Sequence, residues 1–263
     1  MPELPEVESV RRQLEPELTG RRVLAVWADA QRRFHQPDRL LGRTVAGVGR
    51  RGKYLLCPLD QGLELVLHLG MTGVLHFGVA DDYARARLRL DDGRELVFRD
   101  VRRFGGLAVV EAGAYGPLPS LARLGPEPLS DAFDPRRFAR DLAATRAPVK
   151  AYLLSQRPVA GVGNIYADEA LWLSSIHPSS RRVGPRRALA LHGAIRQVLT
   201  EAIDREGTTF RDYRMVNGES GRNADFLIAY GQAGRPCPRC ATPLRKFTLA
   251  GRGTTFCPTC QRH

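Results

Sequence analysis

The chain has 263 residues, 43% of them hydrophobic, and 40 lysines and arginines against 28 aspartates and glutamates give a net charge of +12 and an isoelectric point near 10.1. That length suffices for two domains with real cores, and no apolar run approaches the ~20 residues a membrane-spanning helix needs. The opening "MPELPEVESV" is acidic where a secretory signal would be basic, so a cytoplasmic location is expected. The arginine-rich excess of charge points to nucleic acid, because guanidinium forks match phosphate geometry.

In the opening stretch, Pro5 suits the first turn of a helix, and Glu3, Glu6 and Glu8 complement the positive end of its dipole. Val7, Val10, Leu14 and Leu18 follow at helical spacing, which predicts an amphipathic helix running to Leu18. Methionine before a small residue is normally removed. Removal would leave Pro2 with a free secondary amine, which is a nucleophile.

Residues 21 to 112 alternate or run apolar between Gly and Asp turns, as in "RRVLAVWAD", "LELVLHLGMTGVLHFG" and "RELVFRD". This predicts many short strands in an antiparallel sandwich or barrel. Asp92-Gly93 marks a hairpin, and Cys57 reads as a buried small hydrophobe. Within this region Lys53 follows a basic turn in "RRGKYLL", Met71 sits on the tight turn "LGMTG", and Arg102, Arg103 and Phe104 share the turn "DVRRFGG". Arginine beside an apolar wedge is a combination that can fill a stack from which a base has been withdrawn. Each of these residues taken alone is better read as a core Met, a core Phe or a solvated arginine.

A stretch rich in Gly and Pro, including Gly116, Pro117, Pro119, Gly125, Pro126 and Pro128, reads as a linker. Residues 131 to 206 then read as helices, the first opened by Asp134 as N-cap with Pro135 behind it. "GVGNIYADEALW" begins with a Gly-x-Gly-Asn turn running into a helix. There Asn164 could cap the helix and backbone amides could meet a phosphate. Residues 207 to 235 are polar and loop-like.

Four of the five cysteines lie in the last 27 residues, as Cys237-x-x-Cys240 and Cys257-x-x-Cys260 with sixteen residues between them. This spacing fits a closed four-thiolate zinc site. A redox pair is the competing reading, but no thioredoxin-like βαβ context accompanies it. The intervening hairpin is expected to have "LAGRGTT" as its tip, with Arg252 exposed between two glycines, although the motif alone is better read as a solvated turn arginine.

Taken together and in order, "MPELPEVE", "RRGKYLL", "HLGMTG", "RRFGG", "GVGNIYADEALW" and the cysteine pairs with "GRGTTFCPTCQ" resemble the bacterial formamidopyrimidine-DNA glycosylase family across essentially the whole chain. Leu4 points away from the sister endonuclease VIII branch, which typically has Gly there. The resemblance implies an α+β fold: a two-layered β-sandwich flanked by helices, then a helix–two-turn–helix domain with a four-cysteine zinc β-hairpin. The expected divisions are a catalytic domain at 1–112, a linker at 113–130, the helical domain with a lesion-recognition loop at 131–227, and the zinc finger at 228–263.

The implied activity is that of a bifunctional glycosylase/AP lyase of base excision repair. It would remove 8-oxoguanine and formamidopyrimidines and cut the strand by β,δ-elimination. By the resemblance, Pro2 is the nucleophile, Glu3 the general acid/base, Glu6 a supporting carboxylate, Lys53 a proton donor for β-elimination and Arg252 the residue of δ-elimination. His68, Met71, Tyr83, Arg102, Arg103, Phe104, Lys150, Asn164 and Tyr230 form the implied DNA-binding set. One structural Zn2+ sits on Cys237, Cys240, Cys257 and Cys260. The implied partner is double-stranded DNA with an oxidised base, bound by a monomer of the nucleoid-containing cytoplasm without a nucleotide cofactor or a membrane.

The sequence departs from the family pattern at Val101, where proline is usual, at Tyr83, where histidine is common, at Ser155, where aspartate is usual, and at Asn223-Ala224, where Phe-Gln is common. Two other classes remain open at this point. One is a zinc-hairpin DNA-binding protein without catalysis, which the intact Pro2, Glu3, Lys53 and Arg252 oppose. The other is a pyrimidine-directed enzyme of the endonuclease VIII kind, which a panel of single-lesion duplexes would separate.

Overall fold

A computed structural model describes residues 2–30, 32–210 and 213–263. The chain divides into two compact units, Met1–Ala122 with Arg205–Ala224, and Arg123–Asp204 with Asp225–His263. The sequence placed 205–224 with the helices. In the structure this segment joins the N-terminal unit, where Tyr213 and Met215 enter the sandwich core.

The N-terminal unit starts with helix α1, Leu4–Leu18. Among the described residues nine strands follow: β1 Val23–Ala28, β2 Phe34–His35, β3 Gly49–Arg51, β4 Tyr54–Pro58, β5 Leu63–His68, β6 Gly73–Phe77, β7 Ala84–Leu90, β8 Glu95–Asp100 and β9 Gly106–Glu111. One sheet has the order β1-β7-β8-β6 and the other β2-β9-β5-β4-β3. Apart from the parallel β2–β9 pair, the strand pairs are antiparallel. The run read as "LELVLHLGMTGVLHFG" is split between β5 and β6 at Gly70, whose φ of +64° suits glycine.

Strand periodicity sorts the faces. Leu63, Leu65 and Leu67 of β5 and Leu55 and Cys57 of β4 enter the common core with Leu75, Leu88, Leu96 and Phe98 of the other sheet. The Cys57 thiol is pushed up to about 12 by burial and then by Glu64, so it behaves as the expected small hydrophobe. Tyr54 and His68, directly opposite in register, have their rings 4.6 Å apart. Val7, Val10, Leu14 and Leu18 of α1 join the same core.

The C-terminal unit holds α2's successors in the chain, since the short helix α2, Pro119–Ala122, ends the first unit. Its helices are α3 Pro135–Ala144, α4 Val149–Leu154, α5 Asn164–Leu173 and α6 Pro185–Asp204, followed by the hairpin β10 Arg245–Leu249 and β11 Arg252–Phe256. Helices α4 and α5 enclose a double turn stapled by Gln156, whose Oε1 accepts from the Gly161 N–H at 2.8 Å. Among the described residues, no helix is long and apolar enough to cross a membrane.

Asp134 caps α3 as its sequence predicts, its Oδ1 accepting from the Arg137 N–H at 2.6 Å. Asp134→Ala is expected to cost the C-terminal unit about 1 kcal/mol, readable as a lower urea midpoint at unchanged slope.

Candidate active site

The N-terminal candidates are positioned by α1. Glu3 is its N-cap and forms a capping box with Glu6. The Glu3 N–H donates to Glu6 Oε2 at 2.7 Å, and Glu6 Oε1 accepts from the Thr208 N–H at 2.7 Å. Tyr213 Oη donates to the Glu6 carbonyl at 3.1 Å. Pro2, Glu3 and Glu6 are all buried. Gly207 lies so close that an added Cβ would stand 2.8 Å from Glu6 Oε1, and its φ is +80°. Both facts restrict the position to glycine. A buried carboxylate with two amide donors thus fixes the backbone next to Pro2.

Lys53, 8% exposed, follows the β3–β4 turn at Gly52. Arg50 donates to the Gly52 carbonyl at 3.0 Å and pairs with Glu8 of α1 at 3.0 Å. Burial pushes the Glu8 carboxyl up, but Arg50 and Arg11 outweigh it and hold it below its usual range. The same helix therefore braces both Pro2 and the Lys53 turn.

His68 is depressed to about 4 by burial, then by Lys53 and Arg33. It is neutral at physiological pH. Its Nδ1 accepts from the Gly70 N–H at 3.2 Å, which leaves the proton on Nε2 as a donor.

Two turns are fused through Asp100, which is buried. Its carboxylate accepts from Thr72 Oγ1 at 2.5 Å, the Gly105 N–H at 2.7 Å and the Arg102 N–H at 3.3 Å. An added Cβ on Gly70 would fall 2.5 Å from the Gly105 nitrogen, so the turns touch backbone to backbone. On this base Met71 is half-buried and Arg102 exposed, while Phe104 is 40% exposed. The Arg102 guanidinium lies 4.8 Å from the Phe104 ring centre, an open apolar wedge beside a cation. Arg103, with φ of +57°, pairs with Asp29. Exposed Tyr83 lies under Arg99 at 4.8 Å.

In the C-terminal unit, Gly163 is the N-cap of α5, where the sequence suggested Asn164. The Asn164 amide is used otherwise, its Nδ2 donating to the Gly253 carbonyl at 3.1 Å. Lys150 is fully buried. Its Nζ donates to the same carbonyl at 3.2 Å and to Thr254 Oγ1 at 2.9 Å, and it pairs with Asp168 at 2.7 Å. Asp168 in turn accepts from the Thr255 N–H at 3.0 Å, and burial raises its carboxyl to about 6 against the pull of Lys150. Helices α4 and α5 thereby grip β11 next to Arg252.

Arg252 itself is exposed. It opens β11 opposite Leu249, across a two-residue turn of Ala250 and Gly251 with φ of +48° and +73°. Positive φ at both turn positions matches strand twist, so Arg252 stands beside the tip and not on it. Tyr230 is half-buried, with its N–H donating to Glu169 Oε1 at 2.8 Å.

The Sγ atoms of Cys237, Cys240, Cys257 and Cys260 lie within 4.8 Å of one another, with Cys240–Cys257 at 3.5 Å and Cys237–Cys260 at 4.0 Å. Zn–S bonds of about 2.3 Å in a tetrahedron demand similar separations. Four thiolates fill the coordination sphere, so the zinc they hold is structural. Among the described residues this is the cluster of three or more His, Cys, Asp or Glu placed for a metal.

Not evident from the sequence were Gly207, Thr208 and Tyr213 around Glu6, Asp100 beneath the two fused turns, and Asp168 against Lys150 and β11. Asp168 had a usable signal, an acid at a position that helical spacing places on the buried face of "NIYADEALW".

Three family models match the chain: the formamidopyrimidine-DNA glycosylase N-terminal domain over residues 1–107, its H2TH domain over 124–214, and a zinc finger found in FPG and IleRS over 234–262. The formamidopyrimidine-DNA glycosylase of Deinococcus radiodurans is 45% identical over 99% of this chain and 97% of its own. The crystal structure of the Thermus thermophilus MutM (FPG) protein superposes with a TM-score of 0.95 at 45% identity, covering 99% of this chain and 98% of that one. A Lactococcus lactis FPG variant in complex with a Fapy-dG-containing DNA gives 0.93 at 34% identity over the whole of both chains. Sandwich, helix–two-turn–helix and thiolate hairpin, joined in this order, make a DNA glycosylase of the zinc-hairpin class. The chain belongs to the formamidopyrimidine-DNA glycosylase family.

Zinc removal is expected to disorganise the hairpin and abolish tight DNA binding. Metal analysis should find about one zinc per chain, as one four-thiolate site implies. Full DNA affinity in metal-free Cys257→Ser would contradict this.

His68 also sets a pH dependence. Its folded value near 4 lies below the ordinary 6.5, so between these values the unfolded chain binds a proton that the native chain does not. Stability is full above pH 6.5 and falls as the pH drops toward 4. His68→Gln should flatten the midpoint of N-terminal unfolding between pH 7 and 5, where the parent declines.

Proposed function

We propose that the chain is a bifunctional DNA glycosylase/AP lyase that removes oxidised purines, 8-oxoguanine and formamidopyrimidines, with the Pro2 amine as nucleophile. The observation that carries this reading is the Glu6 carboxylate, which locks the Glu3 amide directly behind Pro2 with both carboxylates buried. A helix cap alone does not require two buried carboxyl groups and a glycine pressed against one of them. The solved Lactococcus lactis complexes with Fapy-dG DNA and with abasic-site DNA support the substrate class and the second, lyase step.

With Met1 removed, Pro2 carries a secondary α-amine, a group that titrates near ~8. The positive end of α1 and nearby cations favour its neutral, attacking form. Its lone pair bonds to C1′ as the C1′–N bond to the base breaks, and the base leaves with a proton. Ring opening of the sugar leaves an iminium between Pro2 and C1′. That electron sink acidifies C2′, whose proton is lost as the 3′ phosphate departs, and a second elimination releases the 5′ phosphate.

Glu3 is the residue we assign to proton transfer at the sugar. Lys53 serves the first elimination and Arg252 the second. Met71, Arg102 and Phe104 fill the stack, with Tyr83 and Arg103 beside them. The Nε2–H of His68, the Asn164 turn and the Tyr230 region contact the backbone. Lys150 is assigned here to holding the Gly253 carbonyl behind Arg252.

Borohydride should trap a covalent complex with 8-oxoguanine DNA, with the adduct mapping to Pro2. Extending the N-terminus by one uncleaved residue makes that nitrogen an amide, and excision and strand cleavage should vanish together while lesion binding survives. Glu3→Gln should lose excision yet still cleave a pre-made abasic site. Trapping on Lys53, or full activity of the extended chain, would overturn the assignment.

A further inference from the structure

The loop that follows Tyr213 returns to the 205–208 segment at the buried side chain of Asn223, a position where the sequence departs from its family. The Arg222 N–H donates to the Arg205 carbonyl at 2.8 Å and the Asn223 N–H to the Gly207 carbonyl at 3.0 Å. Thr208 and Arg222 form an antiparallel bridge. An added Cβ on Gly221 would stand 2.3 Å from the Gly207 oxygen, so the returning chain lies directly on the 206–208 turn. Asn223, 4% exposed, fastens it there. Its Nδ2 donates to Thr208 Oγ1 at 2.9 Å, and its Oδ1 accepts from Arg205 Nη1 at 3.3 Å.

Thr208 is the residue whose N–H holds Glu6 Oε1 at 2.7 Å, and Glu6 Oε2 holds the Glu3 N–H at 2.7 Å. A continuous set of short bonds therefore runs from Asn223 through Thr208 and Glu6 to the peptide bond behind Pro2. Each member is buried or nearly so, where hydrogen bonds polarise one another and loss of one strands its partner. Glycines at 207 and 221 leave no side chain to cushion a shift. The tip of the same loop, Asn217 to Ser220, is exposed.

The geometry points to Asn223 as a positioning residue for the glycosylase: it latches the 213–223 loop to the Thr208–Glu6 pair and so sets the placement of Pro2. The inference rests on the reading of Pro2 as nucleophile. A group placed this way touches no DNA and acts on both reactions that use Pro2. A residue that reads the damaged base acts on excision alone.

The test compares the parent protein with Asn223→Ala, Thr208→Val and the double variant on two duplexes, one with 8-oxoguanine and one with a pre-made abasic site. Thr208→Val keeps the N–H to Glu6 and removes only the hydroxyl that Asn223 grips. Each single variant is expected to lower kcat about tenfold on both duplexes, the order of one disturbed buried hydrogen bond, with KM unchanged. Borohydride trapping should slow in parallel. The double variant should match the singles, because the two side chains form one link.

Thermal melting and zinc content, measured on the same samples, register any loss of folded protein. A lowered melting point with parental kcat per folded chain would make Asn223 a structural staple only and overturn the latch. Loss confined to the 8-oxoguanine duplex, with Thr208→Val at the parental rate, would also overturn it in favour of base reading. A parental adduct mapping away from Pro2 overturns the nucleophile assignment, and the latch with it. A parental adduct on Pro2 with unaltered variants overturns the latch alone.

Discussion

A single carboxylate organises the N-terminal unit. Glu6 is 1% exposed and spends both oxygens on backbone amides, one the Glu3 N–H peptide-bonded to Pro2 and one on Thr208. An ionised carboxylate without partners in such a place would cost several kcal/mol. The two charge-assisted bonds make burial tolerable and make the geometry stiff. From that stiffness follow the fixed direction in which α1 begins, the seat of Arg50 on Glu8 one turn later, and the brace on the turn that carries Lys53.

The C-terminal unit repeats the device with a cation. Lys150 is as deeply buried as Glu6, pairs with Asp168 and donates to Thr254 Oγ1 and the Gly253 carbonyl. In both units a charge that could have faced solvent is instead used to fix backbone beside a residue of the candidate chemistry. The thiolate cluster secures the far end of the same hairpin. Arg252 is thus held from two sides, although its own side chain is exposed.

Much of this was legible in the sequence. The capped α1, the strand-rich sandwich, the Asp134 cap and the four-thiolate site are local patterns, and local patterns survive in a linear reading. So did the family, because its motifs are long and occur in order. What the sequence concealed is non-local. Nothing near Glu6 announces Thr208, and the polar stretch from 207 onward reads as a plain loop although it supplies Tyr213 and Met215 to the sandwich core. Lys150 carries no mark of burial, because its partner lies on the next helix. Arg252 between two glycines suggested a hairpin tip. Positive φ at Ala250 and Gly251 moves the turn two residues back.

The discontinuity of the N-terminal unit also has a temporal side. Glu6 and Thr208 are separated by 202 positions in the chain. At translation rates of about 5–20 residues per second, a nascent chain waits on the order of ten to forty seconds between making the carboxylate and making its amide partner. During that interval the sandwich can collapse around α1, but its first residues lack the bond that fixes them. The N-terminal unit therefore emerges from the ribosome without the bond that fixes its first residues, and acquires it only after helices α3 to α6 have been made.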